Sequence, residues 1–364
     1  MIYKFQLMDL FPYLLLVLLC ILFSFLKYKK RDCSTLIFVA LLVFSSLRYQ
    51  TGYDYGNYLE TILSQDNEER FEILVRWLIS FSRKTHYQFF FIITSFLTLF
   101  PIYRLSKKYS LDPSLSLVIY LLFPIFYLES LSIIRNAVAF SLVAFSLDEY
   151  LKRSYSKAIL FYIFAIGFHT SAIIAILLVV IDKIKPSRKV VSLIYITSFF
   201  ISPLILSVVS SIQSDFNLFI KIANYALNGK VGAGATMAIL INFVGILCLF
   251  YWKRLEKLGR YNYLWLLYGM FGVIFWNCFG FEGTLRLRLS SFFLVYFTLL
   301  LPSFKYVFKR ISLIQMKSIL TLFLIVVFIA SFYININGHL KDLSKMSFLP
   351  YQTVFNRVEY TQYN

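Results

Sequence analysis

The chain has 364 residues, of which 59% are hydrophobic, 20% aromatic and only 15% charged, with a formal net charge of +18. Soluble domains carry about a quarter charged residues, so this composition excludes an ordinary soluble fold. The basic excess is no nucleic-acid footprint either, because most Lys and Arg fall in short loops between apolar runs, as the positive-inside bias of membrane proteins requires.

The apolar runs are Leu10–Leu26, Cys33–Leu47, Tyr87–Tyr103, Leu115–Leu128, Ile133–Leu151, a long run ending at Ile181, Val190–Ile212, Ala235–Trp252, Tyr261–Phe281, Leu289–Leu301 and Leu313–Ile334. Most are long enough to cross a hydrocarbon core of about 30 Å as helices. Open sheets cannot stand in lipid, so the expected fold is all-α, one polytopic membrane domain over residues 1–364 with about 10–12 transmembrane helices. Leu10–Leu26 reads as the first span and not as a cleaved signal, since only Lys4 precedes it and no A-x-A site follows. The segment Phe71–Lys84 is too charged to span and is expected to lie as an amphipathic helix at the interface, with Phe71, Leu74, Val75, Leu78 and Phe81 on one face.

Basic clusters follow alternate runs, at Lys27–Arg31, Arg104–Lys108, Lys152–Lys157, Lys183–Lys189, Lys253–Arg260 and Lys305–Arg310. Placing all six in the cytoplasm puts the N-terminus outside, together with residues 49–86, which contain the interfacial helix, Glu129–Ser132, residues 213–234, Phe281–Arg288 and the tail 335–364. Residues 158–181 then have cytoplasmic charge at both ends. They are expected to form a broken or re-entrant pair of half-helices meeting near Gly167–Ser171, a device tolerated where it lines a polar cavity.

Four arginines break the charge rule. Arg48, Arg135, Arg286 and Arg288 fall at the outer ends of runs, where basic residues are depleted. A guanidinium offers a planar fork that suits phosphate, so several converging on one cavity would receive a di-anionic head group such as pyrophosphate. The structural alternative is that each pairs with an acid (Asp54, Glu129 or Glu282) or snorkels to the interface.

Asp54 lies between Gly52 and Gly56 and beside Tyr53, Tyr55 and Tyr58, a carboxylate among rings that suits sugars. The alternative is an aromatic interfacial loop with Asp54 in a turn. His169 is one of three histidines and the only one inside an apolar segment, where it can accept a proton from a hydroxyl or serve as a satisfied core residue. There is no H-E-x-x-H, G-x-S-x-G, P-loop or G-x-G-x-x-G, and the four Cys are scattered. No metal site, nucleotide site or other cofactor is expected.

Four segments carry a family resemblance. Arg48-Tyr49-x-x-Gly52-x-Asp54-Tyr55-x-x-Tyr58 resembles the signature of the EpsG-type polysaccharide polymerases, in the wider Wzy group of O-antigen and capsule polymerases. Arg135-Asn136-x-x-Ala139 is similar to the family's Arg-Gln-x-x-Ala, with Asn136 keeping the amide on a shorter arm. Phe168-His169-Thr170-Ser171-Ala172 resembles its Phe-His-x-Ser-Ala, and Arg286 with Arg288 resembles its C-terminal Arg. The matches run from about residue 48 to 290.

The resemblance implies a metal- and nucleotide-independent glycosyltransferase of the bacterial cytoplasmic membrane. At the outer face it would transfer the growing glycan from undecaprenyl pyrophosphate to a hydroxyl of the next lipid-linked repeat unit. A separate chain-length-regulating co-polymerase is an implied partner, beside the lipid-linked oligosaccharide and the bilayer. In this reading Arg135, His169 and Asp54 carry the chemistry. Arg48, Gly52, Tyr53, Tyr55, Tyr58, Asn136, Glu282, Arg286 and Arg288 bind substrate. The competing readings are a flippase or transporter of lipid-linked oligosaccharide and an O-antigen ligase-like transferase.

Overall fold

The computed structural model describes residues 7–28, 31–64, 68–211, 234–308, 311–341 and 348–356. Most of the expected outer loop 213–234, the end of the tail beyond residue 356, and Lys29, Lys30, Lys309 and Arg310 of the basic clusters lie outside the described residues. The fold is all-α, that of a polytopic membrane protein. It divides into two compact units, Met1–Ala172 with Leu313–Asn364, and Ile173–Ser312.

The first unit opens with α1 (Phe11–Phe25) and α2 (Ser34–Leu47), joined through a short antiparallel ribbon of β1 (Lys27–Tyr28) and β2 (Arg31–Asp32). Strand β3 (Arg48–Tyr49) leads into α3 (Tyr55–Ser64) and α4 (Ile73–Lys84). Then follow α5 (Gln88–Tyr109), α6 (Pro113–Leu122), α7 (Tyr127–Ser132), α8 (Ile134–Leu151) and α9 (Tyr155–Phe168). Helix α6 starts where its sequence says it should. Pro113 occupies the first turn and the Asp112 carboxylate accepts from the Leu115 amide at 3.0 Å. Every residue of α6 from Ser114 to Leu122 is buried, and α8 is buried along most of its length against α5 and α9.

The apolar run Leu115–Leu128 is split in two, with α6 ending at Leu122. Pro124 is the reason: the residue before a proline is driven out of helical backbone, and Phe123 is extended at φ −78°, ψ 112°. Helix α4 is present as expected, but its buried face is Val75, Leu78, Ile79 and Ser82, while Phe81 is exposed.

The run 158–181 breaks as the sequence predicts. Helix α9 stops at Phe168, His169 is extended, and a 3₁₀ turn (Thr170–Ala175) precedes α10 (Ile176–Ile184) in the second unit.

The second unit continues with α11 (Arg188–Ser211), α12 (Gly234–Phe250), α13 (Trp252–Glu256) and α14 (Arg260–Cys278). Its last helices are α15 (Gly283–Leu294), α16 (Phe297–Leu300) and α17 (Phe304–Val307). Helix α14 is its core, packed on α11, α12 and α15. Asn242 of α12 and Asn277 of α14 exchange amide hydrogen bonds of 3.0 Å, with Tyr195 and Ser198 of α11 joining them. Such side-chain pairs tie helices together where water is absent. Residues 283–307 form a bent pair, with a 41° angle between Gly283–Leu294 and Phe297–Val307.

The chain then returns to the first unit as α18 (Leu313–Lys341), which packs on α6. Beyond it, β4 (Gln352–Thr353) pairs antiparallel with β3, Arg48 opposite Thr353 and Tyr49 opposite Gln352. The Tyr13 hydroxyl donates to the Phe348 carbonyl at 2.5 Å and the Tyr351 hydroxyl to the Phe44 carbonyl at 2.7 Å. Residues 348–356 are thus a strap across the ends of α1 and α2.

Among the described residues, four helices are long and apolar enough to cross a membrane unaided, Met8–Phe25, Gln88–Tyr109, Arg188–Ile205 and Leu313–Tyr333, and the bent pair makes a fifth. Four further apolar helices have 10 to 17 residues.

Candidate active site

Three of the sequence motifs meet in the first unit. The loop after β3 turns at Gly52, whose φ of +99° is a left-handed conformation, and a Cβ there would run into the Leu131 carbonyl. The glycine therefore lets the loop lie against the residues preceding α8, and the Tyr53 amide donates to Ser132 Oγ at 3.2 Å. Asn136 Oδ1 in turn accepts from Ser171 Oγ at 3.0 Å, tying the start of α8 to the break after α9.

At the centre of this junction is a residue that the motifs do not contain. Glu72 precedes α4 with extended backbone, a position where a carboxylate usually caps its own helix, yet its side chain makes no capping bond. It reaches instead to two other segments. Arg135 Nη1 donates to Glu72 Oε2 at 2.6 Å, and His169 Nδ1 lies 2.8 Å from Glu72 Oε1. Arg135 Nε donates to the Tyr58 hydroxyl at 3.0 Å, and the guanidinium lies 5.0 Å from the Phe71 ring centroid. Gly167 makes the approach possible, since a Cβ there would sit 2.8 Å from Leu74 Cδ1 of α4.

The electrostatics follow from these contacts. Burial alone would raise the Glu72 carboxyl, but the His169 hydrogen bond and the Arg135 charge outweigh it and hold it down to about 2. With Glu72 ionised, His169 Nδ1 carries the hydrogen that it donates, and in the neutral imidazole the lone pair belongs to Nε2. A carboxylate that fixes one imidazole nitrogen so that the other can accept a proton is the arrangement general-base catalysis needs.

Asp54 is half-buried in the loop. Burial, and then the Asp54 charge, raise the Glu129 carboxyl from 4.5 to about 7. Tyr55 is fully buried, with its ring stacked on Phe91 at 3.9 Å. Tyr58 is sandwiched between Phe71 and Phe90, so of its polar atoms only the hydroxyl takes part, through Arg135. Tyr53 is less enclosed and meets Phe348 of the strap edge-on. Arg48 is 1% exposed, donating to the Ser45 carbonyl at 2.6 Å and to Ser95 Oγ at 3.3 Å.

The remaining residues belong to the second unit. Glu282 is buried and caps α15, accepting from the Thr284 amide at 2.9 Å and from the Leu285 amide. That cap starts the helix before Arg286 and Arg288, which therefore lie in its first turns. Two residues apart on a helix, they point to different faces. Arg286 Nη2 donates to the Gly280 carbonyl at 3.0 Å and its guanidinium lies 5.0 Å from the Trp276 ring centroid. No cluster of three His, Cys, Asp or Glu able to hold a metal occurs among the described residues.

An all-helical chain with broken helices and an Arg–Glu–His cluster at one break has the build of a polytopic membrane protein with a polar site. The sequence model of the EpsG family matches residues 32–353, and the chain belongs to that family of Wzy-like polysaccharide polymerases. The match includes Glu72 and extends through Thr353, the end of β4. No curated protein and no solved structure matches the chain. Membership gives a polymerase-type, glycosyltransferase-like activity on a lipid-linked sugar substrate at a membrane.

Proposed function

We propose that this chain transfers a growing glycan from undecaprenyl pyrophosphate to a hydroxyl of the next lipid-linked repeat unit, at the outer face of the bacterial cytoplasmic membrane. In this reaction the acceptor oxygen forms a bond to the anomeric carbon. The bond from that carbon to the diphosphate breaks, its electron pair leaving with the diphosphate. The acceptor proton passes to a base, and the leaving diphosphate supplies the driving force.

The observation that supports this reading best is Glu72 bridging Arg135 and His169. His169 Nε2 is the acceptor of the hydroxyl proton, since Glu72 fixes the tautomer and steadies the imidazolium that forms. Arg135 stabilises the charge that develops on the diphosphate, with Tyr58 and Glu72 orienting its fork. Asp54 and Tyr53 face the sugars from the loop. Arg48 is left out of this set because its guanidinium is buried. The outer location rests on the alternation of basic clusters along the sequence, and length control falls to a separate co-polymerase.

The test is the surface glycan ladder of cells lacking the gene. Polymerase activity predicts loss of the ladder with a single repeat unit retained. Loss of every repeat unit would favour the flippase or ligase, and an unchanged ladder would remove the proposal.

A further inference from the structure

Arg48 opens the family signature, yet its surroundings are those of a closed ion site. Its guanidinium is 1% exposed, its Nε is buried without a hydrogen-bond partner, and among the described residues it makes no ion pair with a carboxylate. The titratable groups that face it are the phenols of Tyr13, Tyr55, Tyr127 and Tyr351, all neutral near pH 7. Phe91 covers it from 5.3 Å. A buried cation with no counter-charge costs far more than a buried neutral dipole, and native folds seldom leave one so.

The same guanidinium forms part of the wall of a small cavity, with Ser45, Thr94, Ser95, Thr98 and Ser130 as the other polar residues. Its room of about 10 Å³ admits one water-sized particle, so a diphosphate is excluded. The hydroxyls divide into two groups. Ser45, Thr94 and Ser130 spend their hydrogens on the carbonyls of Leu41, Phe90 and Tyr127. Ser95 receives a hydrogen bond from Arg48, which leaves its own hydrogen to donate, and no acceptor among the described residues takes the Thr98 hydrogen. A cavity of single-ion size, walled by one uncompensated cation and two hydroxyl donors, has the chemistry of a small monovalent anion.

We propose that Arg48, Ser95 and Thr98 bind a halide ion in this cavity, chloride under ordinary conditions, and that the ion neutralises Arg48 and fixes the β3–β4 junction. The proposal does not depend on the polymerase reading, because the site is separate from the Glu72 cluster and its test reads stability. The full chain in detergent would be melted in sodium chloride and in sodium gluconate at equal ionic strength. Chloride should raise Tm by about 2 to 4 °C, an increment that corresponds to a ligand held well above its Kd. In Ser95→Ala/Thr98→Val the difference should shrink to nothing. Crystals grown in sodium bromide should show anomalous density beside Arg48. A wild-type Tm equal in the two salts, a difference undiminished in the double variant, or an ordered water only at the site would overturn the proposal. If the double variant does not fold, the wild-type salt comparison and the bromide density decide it.

Discussion

Arg135 Nη1 and Glu72 Oε2 stand 2.6 Å apart, joining residues 63 positions distant in the chain. The same carboxylate holds His169, so one side chain decides how both of the motif residues in this junction are presented. Removing its charge without changing its shape should therefore cost more than removing either contact alone. Glu72→Gln is expected to lower polymer output by more than the roughly hundredfold loss typical of one charge-stabilising contact at a reacting centre, while the protein still accumulates in the membrane. Immunoblotting beside a glycan gel checks this.

The two unusual carboxylates have opposite pH signatures. The Glu72 value lies below its ordinary 4.5, at about 2, so its contribution to stability is full above about pH 4.5 and is lost as pH falls toward 2. Glu129 is the reverse. Its value of about 7 means that the folded chain keeps a proton which the unfolded chain has released, so stability declines as pH rises from 4.5 to 7. Glu129→Gln should remove that decline and gain on the order of 2 kcal/mol at pH 8. Melting curves of both proteins between pH 5 and 8 would read it, and parallel curves would refute the assignment.

Gly52 is held at φ +99° against the Leu131 carbonyl, so it has both a conformational and a steric reason to be glycine. Gly52→Ala should destabilise the first unit by about 2–3 kcal/mol and detach the Tyr53 amide from Ser132. A lower Tm with unchanged helix content is the expected result. Gly56→Ala makes a useful control, because Gly56 sits in the first turn of α3.

The strap makes a prediction of its own. The Val354 amide donates to the Leu47 carbonyl at 3.0 Å, beside the β3–β4 pair. Val354→Pro removes that donor and should loosen the strap by about 1–3 kcal/mol, exposing the backbone at Arg48 to amide exchange. Exchange at Arg48 and Tyr49 should accelerate, while exchange in the α14–α15 core stays slow.

What the sequence could and could not say divides along physical lines. Long apolar runs show themselves by composition, and the break at His169 showed itself because basic clusters at both ends forbade a single crossing. The Pro124 break in Leu115–Leu128 was readable too, but a run of apolar residues masked it. Glu72 was not legible. It follows Glu68 and Glu69 and precedes an amphipathic helix, so it reads as one more solvated acid, and both its partners are remote. Arg135 at the mouth of a span needs a carboxylate, but the outer segment 49–86 holds six of the chain's 18 acidic residues, so that need did not single out Glu72. Tyr55 and Arg48 look like ligands for sugar and phosphate by residue type, but burial is a tertiary property and their motif does not contain it. Nor could two residues of β4 announce a strand, since alternation needs a longer stretch than the strap supplies.

The measurement that tests the central claim most directly is polymerisation by the purified protein. Wild type, Arg135→Ala and Arg135→Lys would be reconstituted with lipid-diphosphate-linked repeat units and no nucleotide, and glycan length and freed lipid diphosphate counted together. The account predicts a ladder with one lipid diphosphate released per unit joined in wild type. It predicts roughly a hundredfold loss in the Ala variant and poor rescue by Lys, whose point charge cannot engage Glu72 and Tyr58 through one planar fork. Wild-type ladders from both variants would contradict it.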